Sequence, residues 1–310
     1  MVSHRSVRLI SPSGYCHNQA AAWRGVERLR ARGNQVDNLE AITRRFQRFA
    51  GTDAERLADI NQLCQLATLP DVVLAVRGGY GASRLLEHID YVGLGRRLLN
   101  QPVALCGHSD FTVIQLALLA QVGLITFSAP MLAGNFGAED PSDFTLQHFN
   151  HALSSPTVQV NWRSDSTDNG EWQGTLWGGN LAMLCSLIGT PWMPQIDGGI
   201  LVIEDVNEHP FRIERMLIQL EQCGILARQR AIVAGSFTST ALSDYDNGYN
   251  FASVWQHIRT LSQLPVISNL AFGHAAETVT LPLGASARLR IKDGAAELQA
   301  TGHPVLRPTF

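Results

Sequence analysis

Pro102-Val103-Ala104-Leu105-Cys106-Gly107-His108-Ser109-Asp110-Phe111-Thr112 reads as a buried strand that stops at a glycine, turns sharply and hands over to a helical pattern. Ser109 stands on the turn. Strand, tight turn, nucleophile, helix is the arrangement by which a hydrolase pushes a hydroxyl out of its backbone. Gly107 leaves room for the turn, and the start of the following helix offers positive potential to a developing anion. The second glycine of a G-x-S-x-G elbow is missing, because Phe111 occupies its place. A serine that only caps the next helix would give the same pattern.

Outward from this turn, short apolar runs alternate with helical patterns. Val7 to Ile10 predicts a strand leading into Ser11-Pro12-Ser13-Gly14, and helices are predicted from about Asn18 to Arg32 and from Asp53 to Leu66. Val72 to Val76 predicts a strand ending in Arg77-Gly78-Gly79-Tyr80-Gly81. The helix after Ser109 runs through Ala120, before a strand at Leu124 to Phe127. This alternation predicts an α/β fold with a mostly parallel sheet covered on both faces. Ligands in such sheets sit beyond the carboxyl ends of the strands.

The composition then turns polar around Ser164-Asp165-Ser166-Thr167-Asp168-Asn169-Gly170. The expected organisation is a nucleophile domain over residues 1–160, a linker over 161–173 and a β-rich C-terminal domain over 174–310, with the active site between the domains. Strands of the second half are expected at Ile200 to Ile203, Ala231 to Ala234 and Val266-Ile267. Thr278 to Leu281 and Ala287 to Ile291 read as antiparallel hairpin strands.

Composition narrows the function classes. With 310 residues, 45% of them hydrophobic, and a net charge of -3, the chain is long enough for an ample core and lacks the basic excess of an electrostatic nucleic-acid binder. Arg44-Arg45-Phe46-Gln47-Arg48 is the nearest approach to a basic cluster, and reads as a solvated helix end or an anion contact. The five cysteines are scattered and form no C-x-x-C pair, which predicts reduced thiols in a cytoplasmic protein. No apolar stretch near Met1 is long enough for a signal peptide or a membrane span. There is no H-E-x-x-H and no tight His/Asp/Glu cluster, so neither a metal nor a cofactor is expected.

A serine hydroxyl needs a base, and the base needs an orienting partner. Ile200-Leu201-Val202-Ile203 runs into Glu204-Asp205, and Val266-Ile267 precedes Ser268-Asn269-Leu270-Ala271-Phe272-Gly273-His274. Serine, glutamate and histidine therefore fall at or shortly after strand ends. Asp205 and Glu208 compete with Glu204. His209 competes with His274, whereas His108 is expected to point away from its neighbour on a tight turn. The Gly78-Gly79 turn lacks the order of a P-loop or a dinucleotide fingerprint, and can aim backbone N–H groups at an oxyanion without steric cost. Cys106 reads as a core thiol.

Taken together, Arg77-Gly78-Gly79-Tyr80-Gly81, Gly107-His108-Ser109-Asp110-Phe111-Thr112, Trp177-Gly178-Gly179-Asn180, Glu204-Asp205 with Arg212-Ile213-Glu214-Arg215-Met216-Leu217, and Phe272-Gly273-His274 resemble the LD-carboxypeptidases, serine peptidases that include microcin-immunity peptidases. The likeness runs from Ser11-Pro12-Ser13-Gly14 to Gly302-His303-Pro304-Val305. It implies an amidotransferase-like α/β domain followed by a β-rich domain, and a catalytic triad of Ser109, Glu204 and His274. It further implies an oxyanion hole, placed at the N–H groups of Gly79 and Asp110. The implied reaction removes the terminal D-alanine of a cytoplasmic murein tetrapeptide, after the L-centre of meso-diaminopimelate. Arg77, Trp177 and Asn180 are the expected substrate contacts, with Trp177 available to stack on a nucleobase if the substrate were an aminoacyl nucleotide. The resemblance also allows a homodimer.

Overall fold

Two strands, Val72–Ala75 and Ala104–Gly107, are buried at every position, which is why they carry unbroken apolar runs rather than alternation. A computed structural model describes residues 4–307, so residues 1–3 and 308–310, the outer ends of the two expected domains, lie outside the described part. In chain order β1 (Ser6–Ile10), β2 (Gln35–Asp37), β3 (Val72–Ala75), β4 (Ala104–Gly107) and β5 (Thr126–Ser128) pair in parallel. Next come β6 (Thr157–Arg163), β7 (Gly170–Asn180), β8 (Gly199–Val206), β9 (Gln229–Thr238) and β10 (Val266–Ile267). Then β11 (Leu281–Leu283) returns to pair antiparallel with β5, and β12 (Ser286–Lys292) forms a hairpin with β13 (Ala295–Thr301).

The first sheet has the order β11-β5-β4-β3-β1-β2 and the second β10-β9-β8-β7-β12-β13-β6. The second sheet is mixed. Strands β7 to β10 are parallel neighbours, whereas β7, β12, β13 and β6 pair antiparallel. Of the expected linker, 161–173, the two ends are strand, since β6 ends at Arg163 and β7 begins at Gly170, and residues 164–169 between them are irregular. That polar run is pinned to the domain rather than a free tether: Ser164 Oγ accepts from Ser268 N–H (3.0 Å) and Asp168 pairs with Arg259 (2.9 Å). Thr278 to Leu281 does not form a hairpin strand of the second sheet, because β11 closes the edge of the first sheet instead.

The helix Thr112–Val122 explains how the halves join. It is apolar on all sides, with every residue from Thr112 to Leu118 buried, and it touches β5 of one sheet and β7 of the other. It stops at Gly123, whose φ of 68° is the left-handed conformation of a helix C-cap. One apolar cluster runs from Val73 and Leu105 to Leu201, Ile203 and Ile232, so the sheets share a core. Among the described residues no helix is long and apolar enough to cross a membrane.

Candidate active site

Ser109 leaves the carboxyl end of β4 with φ of 63°, a left-handed conformation uncommon for a residue with a side chain. The surrounding glycines accommodate this strain. A Cβ on Gly107 would stand 2.7 Å from the Phe111 ring, and one on Gly78 would stand 2.7 Å from Ser109 Cβ and 2.8 Å from its Oγ. Ser109 is not a helix cap: among the described residues no side chain caps either the Ser109–Phe111 turn or the helix after it. Its side chain belongs instead to a cavity of about 540 Å³, shared with Arg77, Gly78, Gly79, His108 and His274. Strained backbone at a cavity wall is the setting in which an exposed nucleophile is found.

Opposite lies an imidazole held by a buried acid. His274 Nδ1 is 2.7 Å from Glu204 Oε2, and Glu204 is 1% exposed. With the carboxylate accepting, Nδ1 carries the proton and Nε2 keeps its lone pair. Burial pushes the His274 pKa down, but the Glu204 hydrogen bond and the charges of Glu204 and Asp205 outweigh it, so the net shift is upward. Two backbone features make the contact. A Cβ on Gly273 would lie 2.6 Å from Glu204 Oε2, and the ladder between β8 and β9 slips between Ile203 and Asp205. The slip leaves an extra residue on β9, where Ser236 N–H donates to the Phe272 carbonyl (2.8 Å) and holds the His274 loop against the sheet.

Asn180, expected to touch substrate, lies behind the acid instead. It is buried, and its Nδ2 donates to Glu204 Oε1 (3.2 Å) and Asp205 Oδ1 (3.0 Å), which orients the carboxylate that holds His274. Trp177 does not reach the cavity either. It is 0% exposed and its Nε1 donates to Gln229 Oε1 at 2.8 Å, so its large apolar surface serves the core. Arg77 does line the cavity, with Nη1 donating to the Tyr15 carbonyl at 2.8 Å.

Gly79 lines the cavity, and the Asp110 amide nitrogen lies 3.5 Å from the place a Gly78 Cβ would take. The Asp110 side chain turns inward to accept from Ala82 N–H at 2.9 Å, which ties the glycine turn to the serine turn. Burial pushes the Asp110 pKa up.

His108 departs from expectation. Rather than pointing away, it lines the cavity with its ring 5.0 Å from that of His274, edge to face. Its Nδ1 donates to the Ala129 carbonyl (2.8 Å), and burial, with the neighbouring His274, pulls its pKa down to about 4. His108 is itself extended, with φ of -148°, and the left-handed turn comes one residue later, at Ser109. The other rivals are engaged elsewhere: His209 pairs with Asp246 (3.0 Å), Glu208 faces Arg212 (3.7 Å), and Asp205 accepts from Ala182 N–H (2.9 Å). Cys106 is sealed in β4, with its thiol pKa pushed far up by burial.

Sequence models of the LD-carboxypeptidase N-terminal and C-terminal domains match residues 7–129 and 173–289. The chain belongs to the LD-carboxypeptidase family. Among relatives, the probable murein peptide carboxypeptidase of Bacillus subtilis (strain 168) is 29% identical over 272 residues, spanning 86% of this chain and 83% of that protein. The crystal structure of muramoyltetrapeptide carboxypeptidase from Oxalobacter formigenes superposes with a TM-score of 0.90 at 42% identity, covering 97% of this chain and 100% of that one. The microcin C7 self-immunity protein MccF in its wild-type apo state shares the fold, with a TM-score of 0.83 at 23% identity over 99% of this chain and 100% of its own. Membership in the LD-carboxypeptidase family accounts for the amidotransferase-like parallel sheet followed by a second, β-rich sheet region.

Proposed function

We propose that this protein is a serine-type LD-carboxypeptidase that releases the terminal D-alanine of murein tetrapeptides during peptidoglycan recycling in the cytoplasm. The observation that carries the reading is one cavity holding a strained, glycine-flanked Ser109 and a His274 whose free Nε2 is fixed by Glu204. The five free cysteines suit a reducing compartment.

In the proposed sequence of steps, His274 Nε2 takes the hydroxyl proton as Ser109 Oγ attacks the carbonyl carbon of the LD bond. The oxyanion is received by the N–H groups of Gly79 and Asp110, each such donor lowering the barrier by about 3 kcal/mol. The imidazolium, stabilised by Glu204, gives its proton to the departing amine of D-alanine. Water, deprotonated by the same imidazole, then splits the ester and frees the shortened peptide. Arg77 is the proposed partner of the D-alanine carboxylate, since a guanidinium matches a carboxylate fork.

A substrate carrying a nucleobase is less well served. Trp177 is in the core, and none of the described residues lining the cavity is a tryptophan, tyrosine or phenylalanine. The deciding experiment is direct assay of free D-alanine from a murein tetrapeptide, compared with turnover of an aminoacyl sulfamate. Release from the tetrapeptide alone is expected; turnover of the sulfamate alone would transfer the same machinery to the other substrate class.

A further inference from the structure

The stretch Arg44-Arg45-Phe46-Gln47-Arg48 has no part in the chemistry above, yet the fold sets it beside the cavity. Tyr15 N–H donates to the Arg48 carbonyl (2.9 Å), Ala50 N–H donates to the Ser13 carbonyl (3.1 Å), and Gly14 bridges Phe49. The loop is thereby pinned to the segment whose next residues, Cys16, His17 and Asn18, line the cavity. The Arg45 guanidinium lies 4.5 Å over the Tyr15 ring, and that of Arg48 lies 5.7 Å over the Tyr80 ring. Tyr80, 44% exposed, directly follows the cavity-lining Gly79. Stacking on an aromatic face restrains a guanidinium while leaving its N–H edge open to a ligand.

Charge pairing separates these two arginines from their neighbours. Arg44 pairs with Asp59, and Arg56 and Arg84 pair with Asp53. Among the described residues Arg45 and Arg48 have no carboxylate within ion-pair distance. In a chain of net charge -3, restrained and unneutralised guanidinium groups on tyrosines next in sequence to the cavity-lining Cys16 and Gly79 mark a place for an anion.

We propose that Arg45 and Arg48, seated on Tyr15 and Tyr80, form a subsite for a carboxylate or phosphate on the acyl side of the substrate. This rests on the carboxypeptidase reading above. D-alanine is small and leaves with a single carboxylate, and in the proposed binding mode the remainder of the peptide extends out of the cavity toward Tyr15 and Tyr80. A murein peptide carries a free glutamyl carboxylate on that side, and a nucleotide-linked one carries phosphates as well. Either anion suits a guanidinium fork.

The test measures D-alanine release by the wild type and the Arg45→Gln/Arg48→Gln double variant. Three substrates are compared: the tetrapeptide, the same peptide with its glutamyl carboxylate amidated, and the nucleotide-linked tetrapeptide. The double variant should raise KM about tenfold for an anion-bearing substrate, with kcat and the unfolding midpoint unchanged. A response by the tetrapeptide that its amide lacks assigns the carboxylate; a response confined to the nucleotide-linked form assigns the phosphate. Unchanged KM for both anionic substrates would overturn the proposal, whereas an equal rise for the amidated peptide assigns the acyl-side carboxylate it still carries, that of the diaminopimelate side chain. If the wild type releases no D-alanine from any substrate, the carboxypeptidase reading fails separately. Calorimetric titration of the same peptides into Ser109→Ala protein, with and without the arginine substitutions, then decides the subsite: about tenfold weaker Kd supports it, and equal Kd removes it.

Discussion

Two glycine pairs, Gly78-Gly79 and Gly178-Gly179, look alike in sequence and do opposite work. The first follows the parallel strand β3 and was expected to supply the oxyanion hole through Gly79; the second lies near the end of β7, between two expected substrate contacts, Trp177 and Asn180. The first makes room for Ser109, the proposed nucleophile, since a Gly78 Cβ would meet it at 2.7 Å. The second makes room for structure behind it. A Cβ on Gly178 would stand 2.0 Å from the Val202 carbonyl, and one on Gly179 would stand 2.9 Å from the Thr112 side chain. A glycine's absent side chain is an instruction about a neighbour, and the neighbour is known only once the chain has folded.

The largest effects should come from the first pair's surroundings. Ser109→Ala is expected to lower kcat/KM for D-alanine release by about 10^4-fold or more, with the unfolding midpoint retained. Near-normal turnover would remove Ser109 as nucleophile and leave Gly78 without its chemical purpose.

Glu204→Gln should cost up to about 10^4-fold in kcat through the wrong imidazole tautomer, and it has a pH signature. His274 is useful as a base only when neutral, and its pKa is raised above 6.5, so wild-type kcat/KM should fall as pH drops through a value above 6.5. Removing the Glu204 charge leaves burial to act, and the acid limb should shift to lower pH. An unshifted limb would show that Glu204 does not govern the base.

Gly78→Ala and Gly178→Ala put the comparison directly to the test. The first should lower kcat about 10^2-fold while the unfolding midpoint moves by no more than a few degrees, because only the cavity wall is disturbed. The second should leave kcat per folded molecule nearly unchanged but destabilise the protein by about 3 kcal/mol, read in a denaturant titration. If both variants lost activity and stability alike, the two pairs would not be distinct. Trp177→Phe should have the smallest effect: about 1–3 kcal/mol less stable, because Gln229 Oε1 loses its donor, with kcat and KM unchanged.

The elements nearest the opening turn were the most legible. Val72 to Val76 and the strand before Ser109 were readable because burial on both faces leaves unbroken apolar runs, and the helix from Asn18 because an asparagine caps it. The 161–173 region read as a tether because Ser164 and Asp168, which pin its irregular middle to Ser268 and Arg259, have the same polar composition as a free linker. In the site, Ser109, Glu204 and His274 stood out because each was expected at or shortly after a strand end, although Glu204 lies within β8, two residues before its end. The substrate contacts did not read equally well: Arg77 is at the cavity, while Asn180 braces Glu204 and Trp177 fills the core. His108 was set aside because a tight turn was expected to aim it away from Ser109.

By itself the sequence determined the strand–turn–helix at Ser109, the parallel α/β class and the family. These depend on periodicity, glycine placement and motif order, which are local properties of the chain. Tertiary structure alone decided that Glu204 and His274, 70 residues apart, meet at 2.7 Å, that His108 turns into the cavity, and that one glycine pair faces solvent chemistry while the other faces packing. The physical reason is that a hydrogen bond or a steric contact depends on separation in space. Here that separation is set by a ladder slip on β9 opposite Glu204 and by the apolar core that the two sheets share.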